Sequence, residues 1–221
     1  MIRVAFRRIA SAVLVGAAAA AGSVALSAPA AAQPCPDIEV VYARGTGSPP
    51  GVGWIGQAFI DALRPKVGGR SVGVYAVNYP ANMDFRESVG AGVNDARARV
   101  EYLAANCPDT KIVLGGTSQG AGVITLITAQ LAPTRGFVTT PLPPEIGRHV
   151  AAVVVFGNPS RGRGMANQPL PAISPEFGDR TIDLCAGGDP VCSPGSDVLA
   201  HFTYIRNGMV EEAANYVAGK L

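Results

Sequence analysis

The residues around one serine in this chain are typical of a catalytic nucleophile. Residues 116–120 read Gly-Thr-Ser-Gln-Gly, the pattern G-x-S-x-G with Ser118 at its centre. Apolar residues predict a buried strand before the pattern, at 111–115, and a helix after it, at 122–132. A strand that feeds a helix through one sharp turn lifts the turn residue clear of the sheet, and the flanking glycines leave room for the bend. The pattern therefore predicts a nucleophilic Ser118; the alternative is a tight turn without chemistry.

A serine hydroxyl is a poor nucleophile until a base takes its proton, and histidine is the usual base near neutral pH. The chain has two histidines, His149 and His201. His149 opens a predicted strand, so we expect it at the amino edge of a parallel sheet, away from Ser118. His201 follows the last predicted strand and its loop, and can reach the carboxyl edge, where such sheets bind ligands. We therefore assign His201 as the base.

The acid that orients the base should lie between Ser118 and His201. One large class of serine hydrolases places its triad in the chain order serine, acid, histidine. Asp189 lies within 185–192, a segment with a cysteine at each end, and a disulfide closing that segment would hold the carboxylate still. We assign Asp189 as the acid. Asp197 is the alternative, although it lies only four residues before His201 and could simply cap a turn.

The oxyanion that forms during acyl transfer needs hydrogen-bond donors. The residue after the nucleophile supplies one N–H group, here that of Gln119. The second donor should come from a loop after an early strand, and Thr46 in such a loop offers both its N–H group and its hydroxyl. We interpret the neighbouring Arg44 as a structural residue that braces the loop.

The elements that must position these groups alternate between strands and helices. Their apolar runs are typical of a parallel sheet covered by helices on both faces. We predict one α/β domain with a central five-stranded parallel sheet between two helical layers. The predicted strands are at 38–43, 71–77, 111–115, 149–156 and 180–185. The predicted helices are at 54–66, 85–106, 122–132 and over most of 203–221, and the predicted irregular segments are 135–148 and 160–177.

The first 32 residues have the composition of a secretory signal peptide. Three arginines precede an alanine-rich apolar stretch at 9–26, and the alanines at 30–32 offer a cleavage site. A membrane anchor is the alternative, and an arginine pair at 7–8 leaves twin-arginine export open. We expect residues 33–221 to form the mature domain, secreted to the medium or held at the cell envelope. Cleavage removes three arginines and no acid, so the formal charge of +2 becomes −1, which argues against nucleic acid as a partner.

Four cysteines follow the predicted signal peptide: Cys35, Cys107, Cys185 and Cys192. An even number of cysteines in an exported protein indicates two disulfides. Of the three pairings that four cysteines allow, the spacing favours the short loop 185–192, which leaves the first two cysteines to join each other. A zinc site is the alternative, but the chain has no further cysteine or histidine at ligand spacing.

Several of these motifs, in this order, resemble the cutinase family, and more closely its secreted members from mycobacteria and related actinobacteria. The matching segments are Val-Tyr-Ala-Arg-Gly-Thr at 41–46, Asn-Tyr-Pro at 78–80, Gly-Thr-Ser-Gln-Gly-Ala at 116–121, Phe-Gly-Asn-Pro at 156–159, the cysteine-bounded segment at 185–192, and His201. The resemblance spans about residues 35–221. It implies an α/β-hydrolase fold with no lid and no metal or organic cofactor.

The resemblance also implies roles for single residues. It implies a triad of Ser118, Asp189 and His201, with the oxyanion held by Thr46 and Gln119. It implies the disulfides Cys35–Cys107 and Cys185–Cys192. Family members often have tyrosine before the nucleophile and serine in the oxyanion loop, where this chain has threonine at 117 and 46. Both changes keep the chemistry and bear on the preference for acyl chains.

The function that the resemblance implies is hydrolysis of a carboxylic ester through an acyl-enzyme. We expect short- to medium-chain fatty acyl esters as substrates, with lipids or polyesters as further ones. The alternatives are an acetyl esterase on polysaccharide, an acyltransferase on envelope lipids, and a catalytically silent binding protein. We expect a monomer that makes peripheral contact with lipid surfaces. Candidate contacts for the acyl chain are the apolar loop residues Leu170, Ile173, Val198 and Leu199.

Overall fold

The computed structural model describes residues 34–130, 137, 140–165 and 167–221. The predicted signal peptide, residues 1–32, lies outside the described residues. Across the described part of the chain, no helix combines the length and the apolar character needed to cross a membrane.

The described residues form one sheet of five parallel strands. These are β1 (Ile38–Ala43), β2 (Val72–Ala76), β3 (Lys111–Thr117), β4 (Val150–Phe156) and β5 (Thr181–Leu184). Their order across the sheet is β2-β1-β3-β4-β5, and every neighbouring pair is parallel. The predicted five-stranded parallel sheet is confirmed. The strand that precedes Ser118, β3, lies at its centre, so the turn after it is supported on both sides.

Helices cover both faces of this sheet, as expected. They are α1 (Gly53–Leu63), α2 (Phe85–Asn106), α3 (Gln119–Thr128), the single turn α4 (Pro144–Gly147) and α5 (Met209–Ala218). The helices α1 and α5 pack together on one face, and α2 and α3 pack together on the other. Because the strands between these two helical layers are all parallel, their carboxyl ends lie at one edge of the sheet.

Several helical boundaries differ from the prediction, and one helical turn lies where none was predicted. The helix α3 begins at Gln119, directly after the serine, instead of at residue 122. Its first turn contains Gly120 and Gly122, and glycines leave no apolar periodicity from which a helix can be predicted. The turn α4 lies in a segment predicted to be irregular, and it begins at Pro144 because proline is well suited to the first position of a helix.

A row of buried aromatic rings stiffens the core beneath one end of the sheet. Tyr42 on β1, Phe59 on α1, Phe156 on β4 and Tyr204 before α5 are all fully buried. Their ring centroids follow one another at 6.4, 6.3 and 5.6 Å. Buried rings in mutual contact can change rotamer only if their neighbours move. The last ring of the row, that of Tyr204, therefore has a fixed position at the carboxyl edge of the sheet.

All four cysteines are paired. Cys35 is bonded to Cys107, which ties the segment before β1 to the end of α2, and Cys185 is bonded to Cys192 in the loop after β5. These are the pairings that the spacing favoured, and they leave no thiolate for the alternative zinc site.

Candidate active site

Ser118 occupies the sharp turn between β3 and α3. Its backbone has φ 55° and ψ −117°, a conformation that residues other than glycine rarely adopt. Hydrogen bonds hold the turn, because Ser118 N–H donates to Phe156 O at 2.8 Å and Gly122 N–H donates to Ser118 O at 3.1 Å. Strain of this kind persists only where the surrounding structure over-determines it. The side chain of Ser118 is consequently held at the sheet edge, partly exposed.

The two glycines of the pattern are required by close backbone contacts. A Cβ atom at Gly116 would overlap the carbonyl of Gly120, and one at Gly120 would overlap the carbonyl of Ala43. Both obstacles are backbone atoms, which cannot move aside as a side chain can. Glycine at these positions therefore lets β3, α3 and the end of β1 approach closely enough to form the turn.

Asp189 and His201 lie together at the same edge. The Nδ1 atom of His201 is 2.7 Å from Oδ2 of Asp189, whose side chain is fully buried, while the imidazole is 12% exposed. Gly157, at φ 60°, allows the ring to lie against the end of β4, since a Cβ atom there would come within 2.7 Å of the ring. With Nδ1 donating to the carboxylate, Nε2 is the ring nitrogen that can accept a proton.

The Asp189 carboxylate has an electrostatic setting that keeps it charged. Burial alone would raise its pKa, but hydrogen bonds from His201, Tyr204 and the N–H group of Val191 outweigh burial and lower the pKa below its ordinary value. The Tyr204 hydroxyl lies 2.5 Å from Oδ2, and the Val191 N–H group lies 2.8 Å from Oδ1. A buried carboxylate with three donors remains ionised at neutral pH and can stabilise a charged imidazole.

The alternative residues considered from the sequence lie elsewhere. Asp197 is exposed, and its Oδ1 accepts a hydrogen bond from Leu199 N–H at 2.9 Å. It caps the short 3₁₀ turn at 198–202 that carries His201. His149 precedes β4 at the amino edge of the sheet, where its carbonyl accepts from Ile112 N–H at 3.1 Å.

Thr46 and Gln119 are joined by a side-chain network. Gln119 Nε2 donates to Thr46 Oγ1 at 3.0 Å and to Asn82 O at 2.7 Å, and its Oε1 accepts from Ser88 Oγ at 2.7 Å. Gln119 was predicted for its N–H group, which at the first position of a helix has no intrahelical acceptor. The sequence pattern did not predict the second role of Gln119. Its side-chain amide joins the loop after β1 to the loop after β2.

Arg44 has the bracing contacts interpreted from the sequence. Its guanidinium is buried and donates to Ser48 O at 2.9 Å, Tyr79 O at 2.6 Å and Pro80 O at 3.2 Å. These bonds join the loop that carries Thr46 to the segment after β2.

A groove of about 180 Å³ lies between the Thr46 loop and the imidazole, and both Ser118 and His201 line it. Trp54 and Phe202 stand at its mouth with their rings stacked at 6.4 Å. Their exposed fractions are 48% and 49%. Ile55 is a buried part of the wall. The groove is therefore apolar on one side and lined by the polar groups of the site on the other.

Two of the residues expected to contact an acyl chain lie elsewhere. Leu170 and Ile173 pack against the core beside α3, where Leu170 approaches Gly122. Val198 and Leu199, in contrast, are exposed on the turn that carries His201. The irregular segment at 160–177 contains core residues that its composition did not distinguish from residues of a binding loop.

Two further residues at the site, Trp54 and Tyr204, were not predicted from the sequence. Trp54 is the single tryptophan of the chain, near the start of a helix, and only tertiary packing brings it to Phe202. Tyr204 follows His201 by three residues, a spacing that puts both side chains on one side of a helical turn. The three-residue spacing is the feature from which Tyr204 could have been predicted.

A family model described as Cutinase matches residues 34–221. The chain belongs to the cutinase family. As a cutinase-family protein with a serine at the strand-to-helix turn, it is a serine hydrolase of carboxylic esters.

The chain is similar to proteins of Mycobacterium tuberculosis and to a solved structure from Trichoderma reesei. Phospholipase Culp4 of Mycobacterium tuberculosis is 48% identical over 218 residues, which cover 97% of this chain and 92% of that protein. Carboxylesterase Culp1 of the same organism is 45% identical over 216 residues, 94% of each chain. A solved structure of Trichoderma reesei cutinase with a phosphonate inhibitor is 31% identical, with a TM-score of 0.65 over 85% of this chain and 77% of that chain.

The loop disulfide of this cutinase-family enzyme is expected to affect ester turnover, whereas the other disulfide is expected to affect stability alone. Removing Cys185–Cys192 as an alanine pair should cost about 2.5 kcal/mol of unfolding free energy by loop entropy, against about 4.4 kcal/mol for Cys35–Cys107. The first pair holds the loop that carries Asp189, whereas the second lies at the opposite edge. We expect at least a tenfold loss of ester turnover, on the order of one hydrogen bond to a charged group, only in the Cys185–Cys192 variant. Urea unfolding measures the stability of both variants, and p-nitrophenyl butyrate kinetics measure their turnover. If the variant that loses more unfolding free energy also loses more turnover, an orienting role for the loop is contradicted.

Proposed function

We propose that this cutinase-family enzyme is a secreted carboxylesterase that hydrolyses short- to medium-chain acyl esters through an acyl-enzyme on Ser118. One observation supports the proposal most: the buried Asp189–His201 pair, joined at 2.7 Å, borders the groove that also contains the strained serine. The two disulfides are of the kind that persists in oxidising compartments, which supports secretion.

In the proposed first half-reaction, Ser118 Oγ attacks the ester carbonyl while His201 Nε2 takes the hydroxyl proton. The Asp189 carboxylate stabilises the imidazolium that results. The negative charge on the former carbonyl oxygen receives hydrogen bonds from Thr46 and from the N–H group of Gln119, at the positive end of α3. The carbon–oxygen bond to the alcohol then breaks, and the departing alkoxide takes the proton from His201. The acyl group is left on Ser118.

In the second half-reaction, water attacks the acyl carbon and gives its proton to His201 Nε2. The same donors hold the second oxyanion. Collapse of this intermediate breaks the bond to Ser118 Oγ, which recovers the proton from His201, and releases the carboxylic acid. The three proposed triad residues return to their starting state without any other reagent than water.

The size of the groove supports the preference for short and medium chains. Its volume of about 180 Å³ is below the ~300–1,000 Å³ typical of pockets that enclose drug-sized ligands. The first carbons of an acyl chain would lie against Trp54 and Phe202. Carbons beyond the groove would reach the exposed side chains of Val198 and Leu199.

Exposed apolar side chains beside the groove support peripheral contact with lipid. Val198 and Leu199, which are 63% and 73% exposed, lie on the same 3₁₀ turn as His201 and Phe202. Met83, 73% exposed, follows Asn82, whose carbonyl bonds to Gln119. Clustered apolar side chains of this kind mark contact surfaces more often than scattered ones do. A lipid surface touching them would present its ester groups to the groove.

The chain-length profile on p-nitrophenyl esters from acetate to palmitate tests this function. We expect the highest kcat/KM between butyrate and octanoate. Trp54→Ala should lower kcat/KM for these esters by roughly 5- to 30-fold, because about 1–2 kcal/mol of apolar burial is lost. The same variant should change acetate turnover by less than about twofold, since an acetyl group is too short to bury against the ring.

Tyr102→Ala is the matched control, because Tyr102 is an aromatic residue of similar exposure, 50%, near the end of α2. It should leave the profile unchanged. A sharp maximum at acetate in the unmodified enzyme would instead favour the acetyl esterase alternative.

A further inference from the structure

Tyr204 lies directly behind the proposed triad. Its side chain is fully buried, and its hydroxyl lies 2.5 Å from Asp189 Oδ2 and accepts a hydrogen bond from Ala186 N–H at 3.3 Å. The Sγ atom of Cys192 is 3.6 Å away. The hydroxyl therefore contacts the carboxylate, the backbone of its loop and the disulfide that closes the loop.

The ring that carries this hydroxyl cannot move easily. It packs edge-on against Phe156, with centroids 5.6 Å apart, and edge-on against His201 at 6.3 Å. The backbone carbonyl of Tyr204 accepts from Val210 N–H at 3.1 Å, at the start of α5. Burial, together with the hydrogen bond to Asp189, raises the pKa of Tyr204. The phenol consequently keeps its proton and serves the carboxylate as a donor in a fixed position.

One oxygen of Asp189 receives two of the three donors. Oδ2 faces both the imidazole Nδ1 atom, at 2.7 Å, and the phenol, at 2.5 Å, while Oδ1 accepts from Val191 N–H at 2.8 Å. The loop backbone holds one carboxylate oxygen, and the phenol and the imidazole share the other. The two donors share the negative charge of one oxygen. The hydrogen bond from the phenol therefore weakens the hydrogen bond from the imidazole, and the reverse is also true.

We propose that Tyr204 is a positioning residue for ester hydrolysis, which fixes the Asp189 carboxylate toward His201 and moderates its hold on the imidazolium. The proposal rests on the function proposed above. Tyr204 touches neither the substrate nor the attacking serine in this scheme. It acts through Asp189, and it links the orientation of the base to the rigid core through the aromatic row.

Tyr204→Phe tests this role because it keeps the ring and removes only the hydroxyl. With the phenol donor gone, the whole charge of Oδ2 faces Nδ1, so the charged imidazole is held more strongly. The pH midpoint of the His201 ring signals in proton NMR should therefore rise by several tenths of a pH unit. His149, at the opposite edge of the sheet, is an internal reference that should not move. The kcat for p-nitrophenyl butyrate should fall roughly 3- to 10-fold with KM unchanged, as expected for one lost hydrogen bond.

The other charges near Tyr204 are unchanged by this substitution. Asp183 on β5 is the second carboxylate that acts on the phenol, and it remains paired with Arg161 at 3.5 Å. Tyr75→Phe is the matched control. Tyr75 also donates a phenol proton to a carboxylate, that of Asp95 at 3.1 Å, between β2 and α2. Its removal should leave the His201 midpoint in place.

A His201 midpoint that stays or falls in Tyr204→Phe overturns the proposal, whatever happens to kcat. If that variant does not fold, 3-fluorotyrosine at position 204 gives a second measurement with the hydroxyl retained. The fluorine makes the phenol a stronger donor, so the midpoint should fall, and an unchanged midpoint overturns the proposal. The NMR titration needs no substrate. It therefore separates a failure of this inference from a failure of the proposed esterase function, which would appear as absent ester turnover in the unmodified enzyme.

Discussion

Ser118→Ala is expected to abolish ester turnover and leave the fold intact. The substitution removes the one atom that would form the acyl-enzyme, and loss of a serine nucleophile lowers kcat by roughly 10⁴- to 10⁶-fold in comparable enzymes. Alanine has the same Cβ atom as serine, so the strained turn at φ 55° is no worse for it. Kinetics on p-nitrophenyl butyrate, with thermal unfolding of both proteins, measure the two effects separately.

Ser71→Ala is the control for this experiment. Ser71 lies at the amino edge of the sheet, where its hydroxyl donates to Asp37 at 2.7 Å, so the variant loses a serine hydroxyl far from the groove. Its turnover should match that of the unmodified enzyme. Substantial turnover by Ser118→Ala, in protein shown to be free of contaminating esterase, would remove Ser118 from the mechanism.

Asp189→Asn is expected to have the second-largest effect, a fall in kcat of roughly 10³- to 10⁴-fold. An asparagine amide at this position donates to His201 Nδ1 instead of accepting from it. The ring then carries its proton on Nε2, the atom that must take the proton from Ser118. The substituted side chain also has no charge with which to stabilise an imidazolium. The effect should appear in kcat for p-nitrophenyl butyrate, with KM little changed because Asp189 is buried away from the groove.

Asp197→Asn makes the same chemical change eight residues later in the same region. Asparagine and aspartate cap helical turns equally well, so the cap on Leu199 should survive and turnover should change less than about twofold. The pair of variants discriminates between the two acids considered from the sequence. A large loss in Asp197→Asn together with normal turnover in Asp189→Asn would reverse the assignment.

Local features of the chain were sufficient to predict the architecture. The apolar runs at 38–43 and 149–156 predicted buried strands because strands inside a parallel sheet are covered on both faces. The strand-to-helix turn at Ser118 was predictable because the turn requires glycine two residues before and two residues after the serine. A Cβ atom at either position would overlap backbone atoms. The beginning of α3 was not predictable, because Gly120 is required for close contact with the backbone of β1 and, like Gly122, adds no apolar side chain to the helical period.

Contacts between distant segments could not be predicted from local sequence patterns. The side chain of Gln119 bonds to Thr46 and Asn82, and Trp54 stacks on Phe202, although long stretches of chain separate these residues. Each contact depends on how two distant segments pack against each other. A local sequence pattern does not predict that packing. Leu170 and Ile173 show the opposite case, since they were candidate contacts for an acyl chain, but Leu170 belongs to the core and Ile173 packs against it.

By itself, the sequence determined the order of strands and helices, the two disulfide pairings that spacing favoured, and the types of group available for acyl transfer. Those properties depend on residue type and short-range spacing. Only the tertiary structure decided that Asp189 and not Asp197 faces the imidazole, and that Tyr204 supports this carboxylate from behind. The reason is geometric: both acids lie in the one segment between β5 and α5, and only the path of that segment directs Asp189 to the imidazole and Asp197 to the N–H group of Leu199.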